Sequence, residues 1–278
     1  MTNILQRNNV TVFGNDSVSA PTMVFAHGFG CDQNMWRFVT PAFKDDYRIV
    51  LFDYVGCGRS ETAAYSPRRY SSLDGYAQDL IDVCVALDLS GVTLVAHSVS
   101  SMIGVIASRQ QPELFDRMIL IGPSPCYIND GPAYTGGFER ADLEGLLDMM
   151  DKNYIGWASF LAPVVMKNPD TPELTAELQD SFCSTDPTTA RGFAAATFFS
   201  DNRADLSGVT VPTLVLQCTD DAIAPTEVGE YVARNTPGSE YRLMEATGHC
   251  PHMSHPAETV SIIKDYLASS AMVRATLG

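Results

Sequence analysis

The stretch "LVAHSVSSMIG", Leu94 to Gly104, decides how the rest of the chain is read. An apolar, β-branched run ends in Ala-His-Ser-Val-Ser and continues in helical periodicity until Pro112. A serine between small residues at a strand-to-helix turn is how a hydrolase presents a nucleophile, because that turn is strained and closely packed. The usual pattern is Gly-x-Ser-x-Gly, and here Ala96 and Ser100 stand where the glycines would be. Ser98 is therefore either a nucleophile or a serine that only caps a helix.

Working outward, short apolar runs recur along the chain. They are "VTVFG" from Val10, "TMVFAHG" from Thr22, "YRIVLFDYVG" from Tyr47, "VTLVAHS" from Val92, "RMILIGPS" from Arg117, "PTLVLQCTDD" from Pro212 and "EYRLMEATG" from Glu240. Several of these are short β-branched apolar runs that suit parallel strands buried on both faces. Helical periodicity lies between them, as in "SLDGYAQDLIDVCVALDL", where Tyr76, Leu80, Val83 and Leu87 share a face. The alternation predicts a mostly parallel central sheet with helices on both faces. From Tyr127 to Phe199 the rhythm breaks into about four helical segments without a strand. Both flanks run into core strands, so the expected organisation is a core of 1–126 and 200–278 with a helical cap, 127–199, over the strands' carboxyl ends.

Composition narrows the function. The chain has 278 residues, 45% apolar and 18% charged, enough for a sizeable core. A net charge of −15 argues against nucleic acid or an anionic membrane surface as partner. No apolar run is long enough to span a bilayer, and "MTNILQRNNVTVFG" lacks the features of a signal peptide. The seven cysteines are scattered, odd in number and without Cys-x-x-Cys, which reads as reduced thiols in a cytoplasm.

A hydrolase serine needs a base, and the base an orienting carboxylate, arriving in the order Ser, Asp or Glu, His. "LVLQCTDDAIAP" ends a strand in Asp220-Asp221, and "EATGHCPHMSHP" carries His249 after the next strand. "FAHGFG" follows an earlier strand with two glycines in a tight turn, where the N–H of Phe29 would be one oxyanion donor and that of Val99 the other. These pieces, in this order and at one sheet edge, make Ser98 the nucleophile. Either aspartate can be the acid on this chemistry. His252, His255 and Cys250 crowd the His249 loop, but the spacing matches no common zinc pattern and no ligand pair lies elsewhere. Neither metal nor cofactor is expected, and His97 reads as a structural neighbour of the turn.

The motifs "AHGFGCDQNMW", "RIVLFDYVGCGRS", "LDGYAQDL", "AHSVSSMIG", "IGPSPCYIND", "GGFERADLEGLLDMMDKNYIGWA", "FFSDNRADL" and "GHCPHMSHP" resemble the RsbQ family of α/β-hydrolases, relatives of the plant karrikin and strigolactone receptors. The resemblance runs from about Asn9 to Leu267. It implies an α/β-hydrolase fold with a four-helix lid, a triad of Ser98, Asp221 and His249, and Phe29 and Val99 as oxyanion donors. Asp221 is favoured because the family's acid falls four residues before the proline at Pro225. It also implies substrate-binding positions at Phe29, Tyr127, Phe138, Trp157 and Phe198.

Two classes of function follow. One is a serine hydrolase acting on small, uncharged, apolar esters or lactones through an acyl-enzyme. The other, implied by the resemblance, is a signalling protein whose hydrolysis is slow and secondary, with a PAS-domain phosphatase as partner in a bacterium. A dehalogenase on the same fold is disfavoured, since that chemistry needs a carboxylate where Ser98 stands.

Overall fold

The computed structural model describes the backbone of residues 3–277 and the side chains of residues 3–269. Strands form where the apolar runs place them: β1 (Thr11–Gly14), β2 (Thr22–Ala26), β3 (Arg48–Leu51), β4 (Val92–His97), β5 (Phe115–Ile121), β6 (Thr213–Asp220) and β7 (Glu240–Thr247). They make one sheet in the order β1-β3-β2-β4-β5-β6-β7. β1 runs antiparallel to β3, and every other pairing is parallel. In β4 all six residues, "VTLVAH", are buried, as a strand covered on both faces requires.

The helices are α1 (Ile4–Arg7), α2 (Leu73–Ala86), α3 (Val99–Gln110), α4 (Arg140–Lys152), α5 (Tyr154–Met166), α6 (Pro172–Ser184), α7 (Pro187–Phe198), α8 (Thr226–Asn235), α9 (Pro251–Ser254) and α10 (Pro256–Leu277). On α2 the buried stripe includes Tyr76, Leu80 and Val83, whereas Leu87 is half-buried at the C-cap. Alternate residues of β2 to β6 feed two apolar layers, while β1, at the edge, is exposed. Val24, Ala26 and Leu94 join α2 and α3 on one face. Met23, Phe25 and Val95 join α4 to α7 on the other, so the inserted helices continue the core rather than forming one of their own.

One strand is shorter than its sequence suggests. "YRIVLFDYVG" leaves the sheet after Leu51 because polar contacts take its backbone elsewhere. The Asp53 N–H donates to the Asn8 carbonyl (2.8 Å) and the Tyr54 N–H to Nε2 of His27 (3.2 Å). The Asp53 carboxylate meanwhile accepts from Asn9, Gln33 and Arg59.

Helices α4 to α7 lie between β5 and β6 and are tied down at two loops. On α6, the Ser181 hydroxyl donates to the Gly30 carbonyl (2.8 Å), and Glu177 pairs with Arg37 at 2.7 and 2.6 Å. Past the end of α5, Asn168 donates to the Thr247 carbonyl (2.9 Å), while the His249 N–H donates to Val165 within α5 (2.8 Å). The first loop follows β2 and the second follows β7. Both border Ser98.

Candidate active site

Ser98 lies between β4 and α3 with φ 58° and ψ −125°. A non-glycine residue there is strained by about 1–3 kcal/mol, so its surroundings must hold it. Its N–H donates to the Ile121 carbonyl of β5 (2.8 Å). Its hydroxyl makes no capping bond to α3 and instead lies 2.7 Å from Nε2 of His249. A serine present only to cap a helix would turn the other way.

Ser100, in the place of the second glycine, does what a glycine could not. Its hydroxyl donates to the His27 carbonyl and is 2.9 Å from the Tyr54 hydroxyl, tying the start of α3 to the turn after β2. Ala96 is wholly buried between Ala26 and Leu120, where a methyl group fits the sheet.

Nδ1 of His249 is 2.7 Å from Oδ2 of Asp221, whose other oxygen accepts the N–H groups of Ile223 (2.8 Å) and Ala224 (3.1 Å). Burial pushes the Asp221 carboxyl up, but the His249 imidazole and these hydrogen bonds outweigh it and hold it below the usual carboxylate value. Asp220 points away, exposed, and pairs with Lys167. Only one of the adjacent aspartates reaches the imidazole.

His249 is positioned by its backbone. Gly248 precedes it at φ +81°, where a Cβ would come within 2.2 Å of the Met166 carbonyl. The His249 carbonyl accepts Nε2–H of His97 (2.7 Å). Burial, and then the neighbouring His249, lower the His97 pKa to about 3, so its ring is neutral. That hydrogen bond assigns its proton to Nε2.

A narrow cavity opens over Ser98 and His249. Phe29 and Ser98 both line it, and Val99, whose amide has no acceptor within its helix, begins α3 beside them. Phe29, Tyr127 and Phe198 form part of the wall, whereas Phe138 and Trp157 do not. Trp157 is buried one layer back, stacked on Tyr154 (5.3 Å) and 5.2 Å from Phe182. Phe138 is held by its N–H to the Tyr127 carbonyl (3.1 Å) and packs on the core. The wall also takes in helix residues the sequence does not single out: Leu161 and Val165 of α5, Leu178 and Phe182 of α6, and Thr197 of α7. Each reads as ordinary helix periodicity. The Thr197 hydroxyl is buried without a partner.

The Tyr127 phenol is pushed up by burial, opposed by a hydrogen bond to Ser98. Among the described residues no helix is long and apolar enough to cross a membrane.

The sequence profile of the alpha/beta hydrolase family matches residues 23–262. A strigolactone esterase from Pisum sativum is 36% identical, over 92% of this chain and 95% of its own. A karrikin insensitive 2 receptor from Petunia hybrida is also 36% identical, over 93% and 94%. Among solved structures, a hydrolase from Oleispira antarctica superposes with a TM-score of 0.92 at 46% identity, covering 95% of this chain and 96% of that one. An enol-lactonase from Burkholderia xenovorans LB400 superposes at 0.81 with 20% identity, over 93% and 95%, a likeness of fold alone.

Proposed function

The chain belongs to the α/β hydrolase family, and on that premise we propose that it is a serine hydrolase of small, uncharged, apolar esters or lactones. The observation that carries this reading is the unbroken chain Ser98–His249–Asp221, two hydrogen bonds of 2.7 Å beneath one largely apolar cavity.

In this reading Ser98 Oγ attacks the carbonyl carbon while His249 Nε2 takes its proton. Asp221 keeps the other imidazole proton on Nδ1 and stabilises the imidazolium. The amides of Phe29 and Val99 receive the oxyanion. His249 then protonates the departing alcohol, or the ring oxygen of a lactone, leaving an acyl group on Ser98. A water activated by His249 releases the acid and restores the serine.

Residues 1–126 and 200–278 act as the catalytic core and 127–199 as the cap that walls the cavity. Apolar surface favours compact acyl groups, and a charged substrate would lose its hydration without a partner. A cytoplasmic location fits the seven free thiols. A second reading is favoured by one finding, that a relative of equal identity is named a receptor. There the same chemistry runs slowly, and a protein partner, such as a PAS-domain phosphatase, reads the ligand state.

The test is labelling with a fluorophosphonate followed by peptide mass spectrometry, and ester turnover across an acyl-chain series. Phosphonylation of Ser98 and a preference for short acyl chains support the hydrolase. Labelling elsewhere, or a preference for chains of about eight carbons or more, would sink it. Labelling with turnover of less than one ester per minute would favour the receptor.

A further inference from the structure

Beside Ser98, His249 and Asp221 lies a second cluster that the proposed reaction leaves idle. Cys250 and His97 line the same cavity, and His252 closes on them from α9. One donor atom from each lies within 4.8 Å of the other two, and all three side chains are buried. Neither ring nitrogen of His252 has a hydrogen-bond partner, and neither does Nδ1 of His97. Buried polar atoms are rarely left so, because each has lost its water without a replacement. Stacking explains the place of the His252 ring, 4.7 Å from Trp36 and 4.4 Å from His97 between centroids. It does not explain why that place is filled by an imidazole.

Two imidazoles and a thiol in one buried spot have a common use. His97 already gives one ring N–H to a backbone carbonyl, as metal-binding histidines commonly do. Gly28 packs against the other nitrogen, since a Cβ there would lie 2.5 Å from Nδ1. In sequence these residues are separated, with His97 on β4 and the others more than 150 positions on, so the spacing alone discouraged a metal.

We propose that His97, Cys250 and His252 form a binding site for a soft d¹⁰ cation such as Zn²⁺, entered through the cavity, whose occupancy inhibits the hydrolase. Two imidazoles and a thiolate are a donor set zinc accepts, with a fourth position left for water from the cavity. Zinc bonds of roughly 2.0–2.3 Å put tetrahedral donors about 3.5 Å apart, so the cluster must draw in by about 1 Å. Cys250 is the next residue after His249, and His97 holds the His249 carbonyl. Contraction therefore pulls His249 out of line with Ser98. Binding replaces the Cys250 S–H bond with S–Zn and releases that proton to solvent, with no change of oxidation state. Inhibition, but not binding, rests on the proposed hydrolase role.

Calorimetric titration of the full chain with Zn²⁺, paired with the ultraviolet thiolate-to-metal band of Co²⁺, tests the site. One ion per chain is expected, bound by Cys250→Ser and by His252→Phe, which preserves the stack on Trp36, more than about 100-fold more weakly, beyond the cost of losing an outer-shell partner. Cys183→Ser, which removes the exposed thiol, should bind as the unmodified chain does. Zn²⁺ should suppress ester turnover in the unmodified chain and in Cys183→Ser, and fail to do so in Cys250→Ser. Ser98→Ala should bind Zn²⁺ undiminished, so failure of the hydrolase reading would leave the metal result standing. Absence of binding, or binding indifferent to both Cys250→Ser and His252→Phe, would overturn the site. Tight binding that leaves turnover unchanged would overturn its inhibitory role.

Discussion

All five histidines, together with Ser98, Asp220 and Asp221, lie outside residues 127–199. The inserted helices contribute no histidine, and bring Leu161, Val165, Leu178, Phe182 and Phe198 to the same cavity. The sheet part thus holds groups that form directed bonds at 2.7 Å, and the inserted segment supplies mainly surface, with Tyr127, hydrogen-bonded to Ser98, and Thr197 as polar exceptions. Directed bonds fail when a single atom is removed. A wall loses only the area that is cut away. Substitutions in the two halves should therefore differ in kind as well as in size.

The largest effects are expected in the sheet half. Ser98→Ala should remove about 10⁴–10⁶ of kcat on an activated ester, since the remaining members of such a triad cannot substitute for the nucleophile. Near-normal turnover by this variant, with contamination excluded, would dissolve the contrast. Asp221→Asn should cost about 10⁴ in kcat through the wrong imidazole tautomer. Asp220→Asn should cost no more than a few-fold, because its partner Lys167 is part of an exposed pair. A reversed ranking of the two aspartates would reassign the acid.

In the helical half, Phe182→Ala should lower folding stability by about 3 kcal/mol, as its ring packs on Trp157 and Phe29 at 5.2 and 6.2 Å. It should also widen the acyl preference while leaving kcat on an acetate ester within several-fold. Chemical denaturation and the acyl-chain series read these separately. A collapse of kcat on acetate would mean that the wall also positions the triad.

These expectations parallel what could be read before the fold was known. Ser98, the Asp220-Asp221 pair and His249 are legible because each closes a short apolar run, and the order of three such endings is distinctive, but only the family resemblance favours Asp221 within the pair. The wall is not legible, because Leu178 and Phe182, four apart on α6, look the same whether they face a core or a cavity. Trp157 illustrates the ambiguity from the other side, being aromatic, on the right helix and one layer too deep. Where β3 stops is also hidden, since it depends on Asn8, His27 and Asp53 meeting across the fold. The meeting of His97 with Cys250 and His252 is hidden for the same reason.

The sheet half should also be the acid-sensitive one. His27 is wholly buried, and burial lowers its pKa against the opposing pull of Asp53, its own hydrogen bond to the Gly28 carbonyl and Asp32. The unfolded chain, at the ordinary value of 6.5, then binds more protons than the folded one as pH falls. Stability from this residue is fully present above pH 6.5 and declines below it, by at most about 1.4 kcal/mol per pH unit. Urea unfolding at pH 7 and pH 5 should show the loss, and His27→Gln should have a shallower slope. An equal slope in both would assign the acid sensitivity elsewhere.

The smallest effect should come from a polar side chain in the wall that has no partner. Thr197 lines a largely apolar cavity and carries a buried hydroxyl without a partner, unlike Tyr127, which bonds to Ser98. A hydroxyl left unsatisfied costs about 1–3 kcal/mol, whereas a hydrogen bond gained from a ligand returns about 1 kcal/mol. A substrate carrying an ether or carbonyl oxygen away from the scissile bond can supply that acceptor, and a plain alkanoate cannot. Thr197→Val keeps the shape of the side chain and removes only the donor. It should raise stability slightly and leave kcat/KM on simple alkanoate esters unchanged or improved. On substrates with a distal acceptor it should reduce kcat/KM by about fivefold, the equivalent of about 1 kcal/mol. The diagnostic quantity is the ratio between the two substrate series, which cancels any general change in folding or triad geometry. If both series shift together, Thr197 is part of the wall like its apolar neighbours, and its hydroxyl takes no part in recognition.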